Sequence, residues 1–170
     1  MGERWKMVIE EESLRLSNNP ADSRALHRRG DAYRRANMLE EARDDYTMAC
    51  LLAPSSGIYY DLAHTYYSLE QYDICKGLCD IGVRLDMNDI PLICLHAKSA
   101  RSESLLASKS HLLRASKVNE NHPDVNYLLY KIYALDNNWE EALPYILKSF
   151  QVEPNKTKYT FLANIYNKTS

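Results

Sequence analysis

The stretches LHRRGDAY (residues 26–33) and EARDDYTMACLLAP (residues 41–54) decide the fold of this chain. In each of them, apolar or small residues recur at steps of three and four, which is the period of one face of an α-helix. Between the two stretches lies Ala36-Asn37, a short polar break that suits a turn. Together the two stretches predict a helical hairpin.

The same pattern returns along the chain at steps of 33 or 34 residues. The most regular columns are Ala42, Cys75, Ser108 and Ala142; Tyr46, Cys79, Leu112 and Ile146; Ala49, Gly82, Ala115 and Ser149; and Leu52, Leu85, Val118 and Val152. A fixed period of this length is typical of repeat proteins, in which each unit packs on the next. We therefore expect antiparallel helical hairpins that stack and bury a shared core.

The first unit carries a family resemblance. Its pattern of Leu26, Gly30, Tyr33, Ala42, Tyr46, Ala49 and Pro54 resembles the tetratricopeptide repeat (TPR). The resemblance implies an all-α fold, a right-handed α-solenoid of stacked antiparallel helical hairpins, with about four units and a half-unit at each end. The third unit is degenerate, because His96 and Ser99 stand where a small residue and a tyrosine are usual.

The repeat columns also set the expected boundaries within one solenoid domain spanning residues 1–170. These are an N-terminal half-unit or cap helix at 1–20, repeats at 23–55, 56–88, 89–122 and 123–155, and a C-terminal capping helix at 156–170. Turns are expected at Leu69-Glu70-Gln71, Arg101-Ser102-Glu103 and Asp136-Asn137-Asn138.

Composition and motifs exclude several classes of function. The net charge is -2, which gives no general attraction to nucleic acid, and no apolar run is long enough to span a membrane or resembles a signal peptide. A cytoplasmic protein is the simplest expectation. With 5 Gly there is no phosphate-binding loop, and the histidines are dispersed, so we expect no enzyme and no cofactor. Cys75 and Cys79 occupy core columns, so we expect packing residues and no metal site.

The resemblance places a partner-binding groove along the first helix of each hairpin. The positions that it selects are Arg24, His27, Asp31, Arg34, Tyr60, His64, Tyr67, Ile93, Ala97, Tyr127 and Lys131. This wall is expected to be basic at one end, aromatic next to it, and apolar in the middle. Tyrosine and arginine dominate binding energy at many interfaces.

Some TPR domains of chaperone partners hold a C-terminal carboxylate with a clamp of Lys, Asn and Arg. The matching positions here include His27, Asp31 and Asp61, so that clamp is absent. We expect a non-catalytic interaction module or scaffold, an assembly or adaptor factor, that binds a peptide or helix of another protein. The alternatives are a dedicated chaperone of a bacterial secretion or pilus system, or a fragment of a larger TPR protein. Self-association through the end helices also stays open.

Overall fold

The computed structural model describes residues 2–100 and 105–169, and the chain divides into two compact units, Met1–Asp86 and Met87–Ser170. Across the described residues the secondary structure consists of α-helices and one 3-10 turn, without a strand. The predicted all-α class is therefore confirmed.

The first unit consists of paired antiparallel helices. They are α1 (Glu3–Asn18), α2 (Ser23–Arg35), α3 (Leu39–Leu52), α4 (Ser56–Ser68) and α5 (Tyr72–Leu85). Helices α2 and α3 form one hairpin, and α4 and α5 form the next. Helix α1 packs on α2, and α3 packs on α4. The two hairpins are therefore stacked within this unit.

The second unit repeats this arrangement less regularly. It contains α6 (Ile90–Ser99), a 3-10 turn (Leu106–Ser108), α7 (Lys109–Val118), α8 (Pro123–Leu135), α9 (Trp139–Val152) and α10 (Lys156–Thr169). Helices α8 and α9 form a hairpin, α10 packs on α9, and both α6 and α7 pack on α8.

The first helices of the hairpins begin at side chains that accept backbone hydrogen bonds. Asp22 accepts from the amides of Arg24 and Ala25, and Asp89 accepts from Leu92. These bonds satisfy amide groups that would have no partner within the first turn of a helix.

Three of the predicted turns share one geometry. Asn37, Glu70 and Asn137 have φ angles of 61°, 60° and 54°, in the left-handed region. In the turn at Asn37, the amide of Met38 donates to the carbonyl of Tyr33 at 2.9 Å. The other two turns contain the equivalent bond at the same length. This is a Schellman motif, which ends a helix and reverses the chain. The predicted turn at Arg101-Ser102-Glu103 lies outside the described residues.

The repeat columns form the interior of the hairpins. All members of the first three columns are buried: Ala42, Cys75, Ser108, Ala142, Tyr46, Cys79, Leu112, Ile146, Ala49, Gly82, Ala115 and Ser149. The fourth column, which starts at Leu52, is exposed at each of its positions. Small residues let the paired helices approach, and the large ones fill the space between them.

The third hairpin departs from the others, at the point where the sequence is degenerate. Helix α6 has 10 residues, whereas α2 and α4 have 13 each. His96 stands where the first two units have Gly30 and Ala63, is buried, and places Nδ1 2.9 Å from Oγ of Ser108. The bulky ring is therefore accommodated by a polar contact with the facing segment.

Candidate functional site

Helices α2 and α4 of the first unit share a cluster of polar side chains. Steps of three and four residues place His27, Asp31 and Arg34 on one face of α2. Nε2 of His27 lies 2.8 Å from Oδ2 of Asp61 on α4. Nη2 of Arg34 lies 3.4 Å from Oδ1 of the same carboxylate and 3.7 Å from Oδ1 of Asp31. We call these four residues, together with Tyr46 of α3, the polar cluster.

Tyr46 connects the polar cluster to the core. Its side chain is fully buried, and its hydroxyl donates to Oδ1 of Asp31 at 2.6 Å and accepts from Nε of Arg34 at 3.2 Å. Burial raises the pKa of Tyr46, and the hydrogen bond to Asp31 raises it further. The hydroxyl is therefore a neutral donor that fixes the Asp31 carboxylate.

His27 is the group of the polar cluster that titrates nearest neutral pH. The hydrogen bond to Asp61 raises the pKa of His27, while burial opposes the shift and the negative charge of Asp31 adds to it. The imidazole is thus held between two carboxylates, which favour its protonated form.

A row of rings continues from the polar cluster along α4. Ring centroids are 5.9 Å apart for Tyr60 and His64, 6.5 Å for His64 and Tyr67, and 5.3 Å for Tyr67 and Tyr72 of α5. We call these four residues the aromatic strip. Tyr72 is exposed, and the other three are half-buried, so the strip offers ring surface to a ligand.

The arginines of α2 do not make the wall basic, contrary to the sequence expectation. Arg28 pairs with the buried Glu12 of α1 at 3.3 Å, and Arg29 forms two 2.7 Å bonds with Asp45 of α3. Arg34 lies between Asp31 and Asp61, as described above. Arg35 stacks over the ring of Trp5 on α1. Arg24, at the start of α2, is exposed. Most of this positive charge is therefore neutralised by neighbouring helices.

The predicted groove residues of the second unit differ in how exposed they are. Ile93 and Ala97 of α6 are 1% and 2% exposed, so they pack in the interior and offer no groove surface. Apolar side chains on a short helix are buried where the neighbouring elements cover them. Tyr127 and Lys131 of α8 line a pocket that Phe161 of α10 also borders. Tyr127 and Lys131 therefore remain predicted contacts for a partner segment.

The polar cluster contains three groups that metal sites use. His27, Asp31 and Asp61 can each offer one atom, and these atoms lie within 4.8 Å of one another. Arg34, however, contacts both carboxylates, so a metal ion would have to displace a guanidinium group. The donor set fits a charged hydrogen-bond network better than a metal site.

Sequence reasoning missed two members of the polar cluster. Tyr46 lies in a core column of the repeat, which explains its buried ring but does not predict the contacts of its hydroxyl. Asp61 matches a position of the absent carboxylate clamp, and the repeat pattern does not predict its contact with His27. A signal was available for Asp61, because the position matches one that binds ligand in the resembling domains.

In the described part of the chain, no helix combines the length and apolar character needed to cross a membrane.

Stacked helical hairpins with a repeat of 33 or 34 residues are the architecture of the TPR fold. The chain has the TPR fold, which confirms the resemblance in its sequence.

Three solved structures illustrate the likeness. YrrB, described as a TPR protein with an unusual peptide-binding site, is 20% identical with a TM-score of 0.79, and the match covers 95% of this chain and 84% of YrrB. MamA from Desulfovibrio magneticus RS-1 is 13% identical with a TM-score of 0.77 and coverage of 86% and 85%. PilF from Pseudomonas aeruginosa is 16% identical with a TM-score of 0.77 and coverage of 91% and 72%. No family model matches the sequence, and no curated protein matches it.

Proposed function

We propose that this protein is a non-catalytic interaction module, an assembly or adaptor factor, that binds an extended segment or helix of a partner protein along α2 and α4. The observation that carries the proposal is the aromatic strip, which lies beside the polar cluster on the first helices of two adjacent hairpins. Aromatic rings next to polar side chains that form directional hydrogen bonds are typical of interface hot spots.

The energetics of the aromatic strip support this role. A tyrosine buries a large area on binding and loses little conformational entropy, because its side chain has two rotatable angles. The rings of the strip also contact one another, so they are partly ordered before a ligand arrives. A site that is already ordered reduces the entropic cost of association.

The comparisons give further support at the level of fold. YrrB shares this fold and is described as having a peptide-binding site. The same architecture can therefore bind a peptide, and we place this contact at the aromatic strip.

Affinity capture from a lysate of the source cells, read by mass spectrometry, tests the proposal. The variants are Tyr60→Ala with Tyr67→Ala, and a control with Met48→Ala and Ile81→Ala, which removes exposed apolar side chains from the second helices. We expect a partner to be lost with the tyrosine variant and kept with the control. If the wild type, the tyrosine variant and the control capture the same partners, the binding site does not lie on the aromatic strip. Circular dichroism must show that the helicity of the variants is unchanged.

A further inference from the structure

The polar cluster contains more negative than fixed positive charge. It has two carboxylates, Asp31 and Asp61, and one guanidinium, Arg34. Tyr46 is neutral, because burial raises the pKa of its hydroxyl. The cluster is therefore balanced when His27 carries a proton and has one unit of negative charge in excess when His27 is neutral.

Charged groups on the helices around α2 leave this balance unchanged. On α1, Glu11 and Glu12 pair with Arg15 and with Arg28 of α2, so two carboxylates meet two guanidinium groups. On α3, Asp45 is bound by Arg29. Both sets are therefore neutral. The α4 neighbours of Asp61 in the aromatic strip are Tyr60 and His64, and His64 is a second titratable ring.

The remaining cation on this face of α2 is Arg24, which is one turn before His27. Its side chain is exposed, so water and salt screen its charge. It weakens the excess negative charge at Asp31 without cancelling it.

One carboxylate of the polar cluster is open to a ligand. Among the described residues, Asp31 contacts Tyr46 and Arg34, both through Oδ1, and 36% of its side chain is exposed. Oδ2 can therefore accept a hydrogen bond from outside the protein. Asp61, in contrast, uses both oxygens within the cluster, on His27 and Arg34.

The aromatic strip adds a second attraction for the same kind of ligand. The faces of aromatic rings carry partial negative charge and attract ammonium or guanidinium groups. A Lys or Arg side chain that reaches Asp31 can lay its aliphatic part along the neighbouring rings. Both features on this face thus favour a positively charged ligand group.

We propose that the polar cluster binds a Lys or Arg side chain of the partner segment at Asp31, and that this binding releases the proton of His27 to solvent. This inference rests on the proposed function, because it describes the ligand of the same site. The bound cation replaces the positive charge of the imidazolium, so the polar cluster stays neutral after His27 has lost its proton. Binding should therefore weaken as the pH falls and His27 is protonated.

The test starts from a library of random linear dodecapeptides displayed on phage and selected on the intact chain at about pH 8. We expect the selected peptides to be enriched in Lys or Arg. Their affinity should fall by up to tenfold per pH unit below the pKa of His27, since one proton competes with the peptide. Calorimetry in two buffers of different ionisation enthalpy should show proton release on binding.

Two variants assign the effect to named groups. Asp31→Asn keeps an acceptor for Tyr46 but removes the charge, and it should weaken a selected peptide roughly tenfold. Asp44→Asn, an exposed carboxylate of α3, is the matched control and should bind like the wild type. His27→Gln retains a donor for Asp61 but cannot be charged. Whatever its affinity at about pH 8, this variant should lose the pH dependence that is due to position 27.

The outcomes separate this inference from the proposed function. Peptides that lose binding with Tyr67→Ala, but lack basic residues and bind equally at both pH values, would overturn the inference and leave the proposed function intact. Retention of the pH dependence in His27→Gln would also overturn it, and would assign the proton to another group such as His64. Peptides that are unaffected by Tyr67→Ala would contradict both proposals.

Discussion

Gly30 determines how closely α2 approaches the ring of Tyr46. A Cβ atom at this position would lie 2.9 Å from Cε1 and 3.0 Å from Cδ1 of that ring. The ring is fully buried and its hydroxyl is bonded on two sides, so it cannot move away without loss. The small residue is therefore required by packing against Tyr46.

Gly30→Ala and Gly77→Ala form a matched pair that tests this requirement. Both positions lie within helices, so alanine gains about 1 kcal/mol of helix propensity at each. At Gly77 nothing lies within 4 Å of the added atom, so Gly77→Ala should stabilise the protein. At Gly30 overpacking costs roughly 2 kcal/mol, so the net change should be a loss of about 1 kcal/mol. Urea denaturation measures the unfolding free energy of both variants. Equal stabilisation by the two substitutions would contradict the close contact between position 30 and the Tyr46 ring.

The pKa of His27 predicts how stability depends on pH. Because the folded state raises this pKa, His27 contributes stability that is fully present below the unfolded value of 6.5 and is lost as pH rises through the folded pKa. We expect the stability difference between wild type and His27→Gln to be larger at about pH 5.5 than at about pH 9. Thermal denaturation at the two pH values measures it, and a difference that grows with pH would contradict the Asp61 bond.

At the scale of elements, Arg29 and Asp45 join α2 to α3 where the second repeat has apolar residues. Arg29 occupies the column of Leu62, and Asp45 that of Leu78. Two 2.7 Å bonds hold the pair, and Asp45 is buried. A buried ion pair can often be replaced by apolar residues at little cost, whereas the loss of one partner leaves a buried charge.

This reasoning predicts a strongly non-additive double mutant. Arg29→Leu alone should lower the unfolding free energy by roughly 3 kcal/mol, because Asp45 would keep its charge without a partner. Arg29→Leu with Asp45→Leu should come within about 1 kcal/mol of the wild type. Guanidinium denaturation of the four proteins of the cycle provides the values, and additive losses would show that the pair is not coupled.

The turn at Glu70 is strained in a way that the turn at Asn37 is not. Both residues have positive φ, but asparagine tolerates this conformation better than glutamate does. Glu70→Gly should therefore raise the unfolding free energy by about 1 kcal/mol, and Asn37→Gly by a few tenths at most. The melting temperatures of the two variants are compared with that of the wild type. An equal gain at both sites would contradict the claim that positive φ strains Glu70 more than Asn37.

At the scale of the whole molecule, the sequence predicts the interior better than it predicts the site. The columns that start at Ala42, Tyr46 and Ala49 were found by their period, and their members are buried in both units. This succeeds because helical packing repeats whenever the spacing repeats.

The charges of the site could not be predicted in the same way. The basic stretch around Arg28 and Arg34 is neutralised by residues on α1, α3 and α4, which are distant in sequence. The pairing depends on how the helices are rotated against one another, and a single sequence does not give this rotation. The burial of Ile93 has the same origin, since it depends on the elements around α6.

The central claim is that a partner segment binds along α2 and α4, and photo-crosslinking tests it most directly. A peptide selected on the intact chain would carry a photoreactive group, and mass spectrometry would locate the cross-linked residues. We predict cross-links to the aromatic strip and the polar cluster, at residues such as Tyr60 and Tyr67, and their loss with unlabelled peptide in excess. Cross-links concentrated on exposed residues of the second helices, such as Met48 and Ile81, or within residues 87–170, would contradict the claim.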